Sequence, residues 1–321
     1  IVEDAKIWID AGIDGFRLDA VKHIYHNEFS DENPEFLKKF YKAVNDYYRL
    51  SRDHDIYMVG EVFSGYEQVA PYYKGLPALF EFSFWHRLQW ALEQNTGCYL
   101  TKDILSFQNF YKQYRPDYIR ATKLSNHDEN RARSDLAGSL AKAKLAGAIL
   151  LTAPGSPYVY YGEEMGYIGT KTRGDLYVRS PMYWGDSYTT SYTDEIDATL
   201  AQTVGTVLTQ QSDTASILNV YRKFSRARNT YPALASGTMT EHPLYNDKAF
   251  SAYPQLAAWY LTGGGEKMLV LHNLGKDQVT FSLDDPLDYA AATLGNVYIQ
   301  EEKEGYKVKM DAYSSVVFVL K

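Results

Sequence analysis

The chain has 321 residues and a formal net charge of −7; 45% of its residues are hydrophobic and 23% are charged. This length is enough for one large domain and a small one. The negative charge disfavours nucleic acid and anionic membrane surfaces as partners. No apolar run reaches the roughly 18 residues of a membrane span, so the sequence predicts no transmembrane segment.

The cysteine and aromatic content narrows the possible classes of protein further. Cys98 is the only cysteine, so no intrachain disulfide can form, and a lone thiol leaves the cellular compartment open. We expect Cys98 to be a small core residue. The chain has 29 tyrosines and 5 tryptophans, which fits a carbohydrate binder because aromatic rings stack on sugar faces. The alternative for each tyrosine is a place at a core margin or on a strand face.

Strand and helix patterns alternate over the first two thirds of the chain. Strands are predicted to end near residues 19, 61, 84, 125 and 161, after the segments GFRLD, IYMVG, ALFEFSF, IRATKLS and PYVYYG. Helical spacing of apolar residues follows or precedes each strand. The first helical pattern starts at Ile1, and Gly12 suits the end of that helix. Asn33-Pro34 is predicted to begin the second helix, with Asn33 as N-cap and Pro34 at the first helical position.

After Leu234 the pattern changes to period-2 segments separated by Gly, Asn and Asp, such as AAWYLTG and SSVVFVLK. We interpret these as antiparallel strands. Repeating βα units indicate either a doubly wound sheet or a (β/α)8 TIM barrel, although only five of the eight strands of a barrel are visible. The sequence therefore predicts an α/β domain over residues 1–234 and a small antiparallel β-sandwich domain over 235–321.

Three acidic residues occupy the same place in the pattern. Asp19, Glu61 and Asp128 each fall at or just past the carboxyl end of a predicted strand. In barrels, that rim carries the catalytic residues. A single carboxylate there could equally be a helix cap or a salt-bridge partner, but three in succession favour an active site.

Arg17 and Asp19 lie two residues apart on one strand, so their side chains point to the same face. A guanidinium beside a carboxylate favours its ionised form, which suits a nucleophile. Glu61 has apolar sequence neighbours, an environment that favours a protonated general acid. This division between two carboxylates is the one that glycoside hydrolysis uses. The alternative for Arg17 and Asp19 is a buried ion pair that stabilises the barrel.

At these residues the sequence resembles the α-amylase family of glycoside hydrolases. The resemblance covers the whole chain. Its motifs are GFRLDAVKH (15–23), VGEV (59–62), LSNHDENR (124–131), GSPYVYYGEEMG (155–166), VRSPMYWGD (178–186) and LNVYRKFSRARNTYPAL (218–234).

The resemblance implies a role for each matching residue. Asp19 would be the nucleophile that forms a covalent glycosyl-enzyme, Glu61 the general acid/base, and Asp128 the residue that binds and distorts the sugar. Arg17 would orient Asp19, and His127 would bind hydroxyls of the same sugar.

Lys22 and His23 would lie on the leaving-group side, and such a Lys-His pair is typical of endo-acting α-amylases. Lys22 could instead be a solvated charge. The resemblance also implies structural calcium, with the backbone carbonyl of His23 as one ligand, and no organic cofactor. We expect Glu163 and Glu164 to be structural, and Trp184 either to line a subsite or to plug the barrel.

The family's first conserved region and its first three strands do not appear in the sequence. We therefore expect these residues to be the C-terminal part of a longer enzyme, which would need its N-terminal remainder as a partner and be inactive without it. The resemblance implies a retaining endo-α-1,4-glucan hydrolase that acts on starch or maltooligosaccharides. Because starch is too large to import, we expect the enzyme to be secreted or attached to the cell surface.

Two other functions stay open. One is a cyclomaltodextrinase, neopullulanase, oligo-α-1,6-glucosidase or glucan transferase on the same scaffold, which the RSPMYW segment keeps possible. The other is a non-catalytic glucan-binding protein, which the three retained acids disfavour. For the β-domain, a structural role is favoured over sugar binding, since packing explains its apolar strands.

Overall fold

The computed structural model describes residues 1–185, 204–245 and 252–321. This part of the chain divides into two compact units. Unit 1 comprises Ile1–Phe84 and Ser106–Thr122, and unit 2 comprises Trp85–Leu105 and Lys123–Lys321. The predicted boundary between residues 234 and 235 stays a prediction.

Helices and strands alternate in the first part of the chain, and strands alone make up most of the last part. The α-helices are α1 (Val2–Asp10), α2 (Glu32–Tyr48), α3 (Tyr66–Val69), α4 (Phe82–Gln94), α5 (Cys98–Tyr111), α6 (Ala132–Asp135), α7 (Leu140–Thr152), α8 (Val207–Ser212), α9 (Ile217–Thr230) and α10 (Pro232–Ser236). The strands are β1 (Gly15–Leu18), β2 (Tyr57–Gly60), β3 (Ala78–Glu81), β4 (Ile119–Lys123), β5 (Ser156–Tyr158), β6 (Thr238–Glu241), β7 (Leu256–Gly263), β8 (Glu266–Asn273), β9 (Val279–Leu283), β10 (Leu287–Leu294), β11 (Val297–Glu301), β12 (Tyr306–Met310) and β13 (Ser314–Leu320).

Unit 1 is built on the parallel strands β1 to β4, which pair in sequence order. Arg17 is opposite Val59, Val59 is opposite Ala78, and Ala78 is opposite Ile119. Parallel neighbours need a crossover connection, and helices follow these strands in the chain. The predicted βα organisation is confirmed.

The core of unit 1 forms where the apolar stripes of α1 and α2 cover the sheet. Leu37, Val44 and Tyr48 of α2 are fully buried together with Met58 and Leu79 of the strands. Their spacing on α2 is the spacing that puts side chains on one helix face. This packing holds the carboxyl ends of β1 and β2 in place.

The start of α2 differs from the prediction. The helix begins at Glu32 with Asp31 at its N-cap position, and no side chain caps it. Asn33 lies inside the first turn, and its side-chain oxygen accepts a hydrogen bond from the backbone N–H of Tyr25. The side chain of Asn33, which the local pattern predicted to cap the helix, therefore bonds to a residue outside the helix instead.

In unit 2, the strands from β6 to β13 form two antiparallel sheets. The first has the order β10-β13-β8-β7-β6 and the second the order β11-β12-β9. Residues of both sheets share one buried cluster, including Leu269 and Phe318 of the first and Phe281 and Val308 of the second. Two sheets packed face to face in this way are a β-sandwich, as predicted.

Cys98, at the start of α5, is buried in the same cluster as the sheets, and the prediction of a core cysteine is confirmed. The backbone N–H of Gly97 donates to the carbonyl of Pro254 at 2.8 Å. A Cβ at Gly97 would come within 2.4 Å of the Ala257 backbone, so this close approach requires glycine. None of the helices in the described part of the chain combines the length and apolarity needed to span a bilayer.

Candidate active site

The guanidinium of Arg17 joins two of the predicted catalytic carboxylates in unit 1. Its Nη1 donates to Oδ1 of Asp19 at 2.7 Å, and its Nη2 donates to Oε2 of Glu61 at 2.9 Å. Glu61 is almost buried, with 11% of its side chain exposed, whereas the Asp19 side chain is 73% exposed. One planar cation thus sets the relative position of both acids, because its donors lie in a rigid fork.

The backbone explains why these two acids meet. The N–H of Glu61 donates to the carbonyl of Leu18 at 2.9 Å, and the N–H of Val21 donates to the carbonyl of Glu61 at 3.0 Å. The parallel ladder between β1 and β2 therefore continues past the ends of both strands. Ala20, between these bonds, has a left-handed backbone with a φ of 44°, which turns the chain away from the sheet just after Asp19.

The environment of Glu61 differs from the expectation. Its sequence neighbours are apolar, but Arg17, 44 positions earlier, contacts its carboxylate, and the backbone N–H of Ala20 lies 3.4 Å from the same oxygen. The expectation of an apolar setting for Glu61 is wrong. It failed because a parallel strand pair brings a distant residue beside Glu61, and no local pattern records that pairing.

The third predicted acid, Asp128, lies in unit 2 together with His127. Its Oδ2 is 2.9 Å from Nε2 of His127, and its Oδ1 accepts from Nη2 of Arg179 at 2.9 Å. The Arg179 Nε also donates to the carbonyl of His127 at 3.0 Å. Arg179 therefore holds both the side chain of Asp128 and the backbone before it. About half of the Asp128 side chain is covered.

Sequence reasoning missed the cations around Asp128. Lys171 Nζ lies 3.5 Å from Asp128 and 2.5 Å from Asp175, and Asp175 also contacts Arg179 at 2.9 Å. The hydrogen bond from Lys171, aided by Arg179, lowers the pKa of Asp175. Arg179 stands in the VRSPMYW segment, so a signal for it was present. Nothing in the sequence points to Lys171.

Lys22 and His23 follow Asp19 on a short 3-10 helix, Val21–His23. Lys22 Nζ donates to the carbonyl of Phe63 at 3.1 Å and contacts Glu28 at 3.0 Å. The alternative that Lys22 is only a solvated charge does not fit, because just 18% of its side chain is exposed. His23 is exposed.

Glu163 and Trp184 in unit 2 occupy contrasting environments. The carboxylate of Glu163 is buried and accepts from the hydroxyls of Tyr221 at 2.9 Å and Ser125 at 3.2 Å. These contacts fit the expected structural role. Trp184 keeps 47% of its surface exposed, which does not fit a side chain that plugs a barrel.

The side chains of this part of the chain bear on the expected calcium site. The described ranges contain no group of three or more His, Cys, Asp and Glu placed to hold a metal ion. Calcium takes six to eight oxygen ligands. In this part of the chain, these four side-chain types therefore form no calcium site, and the His23 carbonyl would need further ligands.

The family models match both parts of the chain. A model described as the α-amylase catalytic domain matches residues 1–237, and one described as the C-terminal domain of α-amylase SusG matches residues 256–317. The chain belongs to the α-amylase family. Its fold is accordingly that of a partial (β/α)8 barrel followed by a β-domain.

Curated relatives of this chain support the same family assignment. The chain is 56% identical to α-amylase SusG of Bacteroides thetaiotaomicron over 321 residues, which is 100% of this chain and 46% of SusG. It is 33% identical to α-amylase 3 of Dictyoglomus thermophilum over 317 residues, 98% of this chain and 60% of that protein. The chain thus spans about half the length of these relatives.

Two solved structures share the fold. An α-amylase from H. orenii superposes with a TM-score of 0.84 at 26% identity and covers 100% of this chain and 63% of its own. Eubacterium rectale Amy13B superposes with a TM-score of 0.80 at 27% identity, again over the whole chain and 62% of its own.

Proposed function

We propose that this α-amylase family chain carries the nucleophile and the general acid/base of a retaining endo-α-1,4-glucan hydrolase that acts on starch and maltooligosaccharides. The observation that supports it most is the Arg17 fork between Asp19 and Glu61. The fork brings together one exposed and one almost buried carboxylate, and the retaining mechanism uses such a pair, one as nucleophile and one as acid/base.

Each residue then has a defined part in the reaction. Asp19 attacks the anomeric carbon as the glycosidic bond breaks, and Glu61 gives its proton to the leaving oxygen. Water then hydrolyses the ester between Asp19 and the sugar, with Glu61 as base. Arg17 holds the carboxylate of Asp19 in place, and Asp128 and His127 bind hydroxyls of the sugar at the cleavage point.

The test uses the complete gene product that contains this chain, incubated with amylose. We expect Asp19→Asn and Glu61→Gln each to lower kcat by at least about 1,000-fold, because both residues act in the chemical step. The control Glu35→Gln removes an exposed carboxylate on α2 and should leave the rate unchanged. Nearly full activity in either catalytic variant would refute the assignment.

A second candidate is a transferase or a debranching or cyclodextrin-cleaving enzyme on the same scaffold. It is supported by the RSPMYW segment and by 27% identity over 75% of the chain to the cyclomaltodextrin glucanotransferase of Thermoanaerobacterium thermosulfurigenes. Hydrolase and transferase share the covalent intermediate and differ in the acceptor that reaches it. Products from amylose, pullulan and cyclodextrin separate the two: a spread of maltooligosaccharides supports the hydrolase, and cyclic or elongated products support the transferase.

Calcium and location belong to the same proposal. We infer that a structural calcium ion uses the carbonyl of His23 together with ligands outside the described residues.

A polymeric substrate further supports a secreted or cell-surface enzyme. Fractionation of producing cells would test this location, and activity confined to the cytoplasm would contradict it.

A further inference from the structure

Glu28 lies beside Lys22, next to both catalytic segments. Its Oε2 is 3.0 Å from Lys22 Nζ, and the same Nζ donates to the carbonyl of Phe63 at 3.1 Å. Lys22 follows Asp19 by three positions, and Phe63 follows Glu61 by two. The ammonium is therefore tied to the segments that carry the nucleophile and the acid.

Two buried side chains hold the loop that carries this pair. The Asn33 amide nitrogen donates to the carbonyl of Lys22 at 2.9 Å and to the hydroxyl of Tyr72 at 3.3 Å, while its oxygen accepts from the N–H of Tyr25 at 2.8 Å. The Tyr72 hydroxyl in turn donates to the carbonyl of Glu28 at 2.7 Å.

Both donors of this amide are used and its oxygen accepts one bond, so its orientation is determined by its partners. Asn33 is fully buried and Tyr72 is 3% exposed, and breaking either set of bonds would leave buried polar groups unpaired. The loop from Lys22 to Glu28 is thus fixed at both ends. Asn33, in the first turn of α2, thus holds this loop in place and does not cap its own helix.

The pair itself remains accessible. The Lys22 and Glu28 side chains are 18% and 34% exposed. Tyr25, on the loop, and Phe29, just after it, are 44% and 71% exposed. An ammonium supplies donors and a carboxylate supplies acceptors, while their charges cancel. That combination suits the hydroxyls of a neutral sugar, which both donate and accept, better than an ion.

We propose that Glu28 joins Lys22 as one hydroxyl-recognition pair for a sugar on the leaving-group side of the scissile bond, with Asn33 and Tyr72 as positioning residues. The leaving-group side follows from the bond to Phe63, because Glu61 nearby protonates the leaving oxygen. This inference rests on the proposed function for that assignment. Glu28 then determines how strongly the enzyme prefers a sugar leaving group.

The experiment compares two substrates of the complete gene product: maltohexaose, and an aryl maltotrioside whose leaving group is nitrophenol. We expect Glu28→Gln to lower kcat/KM on maltohexaose by about 10-fold, the usual effect of losing a hydrogen bond to a charged group. On the aryl substrate, which has no sugar on that side, the loss should stay below about twofold. Equal losses on both substrates, or none on either, would overturn the proposal.

Positioning is tested with Tyr72→Phe, which removes only the hydroxyl and keeps the buried ring. It should show the same selective loss on maltohexaose, about threefold, as expected for one neutral hydrogen bond. A loss shared by both substrates would indicate general structural damage instead. Glu35→Gln is the control and should change neither substrate.

A binding measurement separates this inference from the proposed function. Calorimetry with maltohexaose compares Glu61→Gln with the double variant Glu61→Gln/Glu28→Gln. Absence of glucan hydrolysis by the wild type would refute the proposed function. In that case, the maltohexaose affinities of the two variants alone test whether Glu28 contributes to sugar binding. An affinity weakened about 10-fold supports the pair, and equal affinities overturn it.

Discussion

Arg17 illustrates how one side chain positions two carboxylates of the candidate active site. Its spacing from Asp19 follows from strand alternation, but its second bond, to Glu61, depends on the pairing of β1 with β2. Lysine could not replace it, because a single ammonium lacks the two-armed planar geometry that contacts both acids. The residue predicted to ionise one carboxylate in fact positions two.

Glu163 shows the energetic cost of a buried carboxyl. Burial raises its pKa to about 8, even though Tyr221 and Ser125 donate hydrogen bonds to it and Arg131 lies nearby. The folded chain therefore keeps a proton that the unfolded chain, with an ordinary value of 4.5, releases. Its contribution to stability falls as the pH rises from about 4.5 to about 8 and is constant above that.

Glu163→Gln should remove this dependence, since glutamine is neutral at every pH and keeps a similar shape. We expect the free energy of unfolding of the variant to vary less between pH 5 and 8 than that of the wild type, with the larger gain in stability at pH 8. Urea denaturation at a series of pH values measures it. Parallel pH profiles for the two proteins would contradict the expectation.

At the scale of elements, the connection between β9 and β10 is held by Asp285. Its carboxylate is 2.8 Å from Nε2 of His242, after β6, and accepts from the hydroxyl of Tyr260, on β7, at 2.6 Å. Nδ1 of His242 accepts from the N–H of Leu244, so Nε2 carries the proton and donates. Burial alone would raise the pKa of Asp285, but the bonds from His242 and Tyr260 outweigh it and lower that pKa.

Asp285→Ala should cost roughly 2–4 kcal/mol of stability, because two largely buried donors lose their acceptor. The wild type should also lose this contribution as the pH falls below the ordinary Asp value of 3.8 and through the lowered folded value. Thermal unfolding of Asp285→Ala beside Asp284→Ala, an exposed neighbour, makes the comparison. Equal stabilities of the two variants would rule out this role.

Prediction from sequence succeeded unevenly among the elements. Strands β1 to β4 were found because each contains a short apolar run. The third was predicted to end near residue 84, but β3 ends at Glu81 and Phe82 already begins α4. Helix α5 was not predicted, although Leu100, Ile104, Phe107 and Tyr111 are buried at helical spacing. The polar residues between these positions obscured the apolar face of α5 in the sequence. The cap assigned to Asn33 failed because its partners lie on other elements.

At the scale of the whole molecule, the proposed calcium ion would link this chain to ligands it does not supply. A chelator should therefore lower the melting temperature of the complete gene product, and added calcium should restore it, because a ligand that binds only the folded state stabilises it. The isolated 1–321 chain should show no change, since its described side chains form no metal site. An unchanged melting temperature in the complete product would contradict the calcium proposal.

The sequence by itself determined the family, the alternation of strands and helices in the first part of the chain, the β-sandwich and the identity of the three candidate acids. These follow from short motifs and from periods of two and 3.6 residues, which are local properties of a chain. Only the tertiary structure decided that Arg17 reaches Glu61, that Arg179 holds Asp128, and that Asn33 and Tyr72 anchor the Lys22–Glu28 loop. Each of these contacts joins residues at least 11 positions apart in the chain, and partners so far apart leave no periodic signal in the sequence.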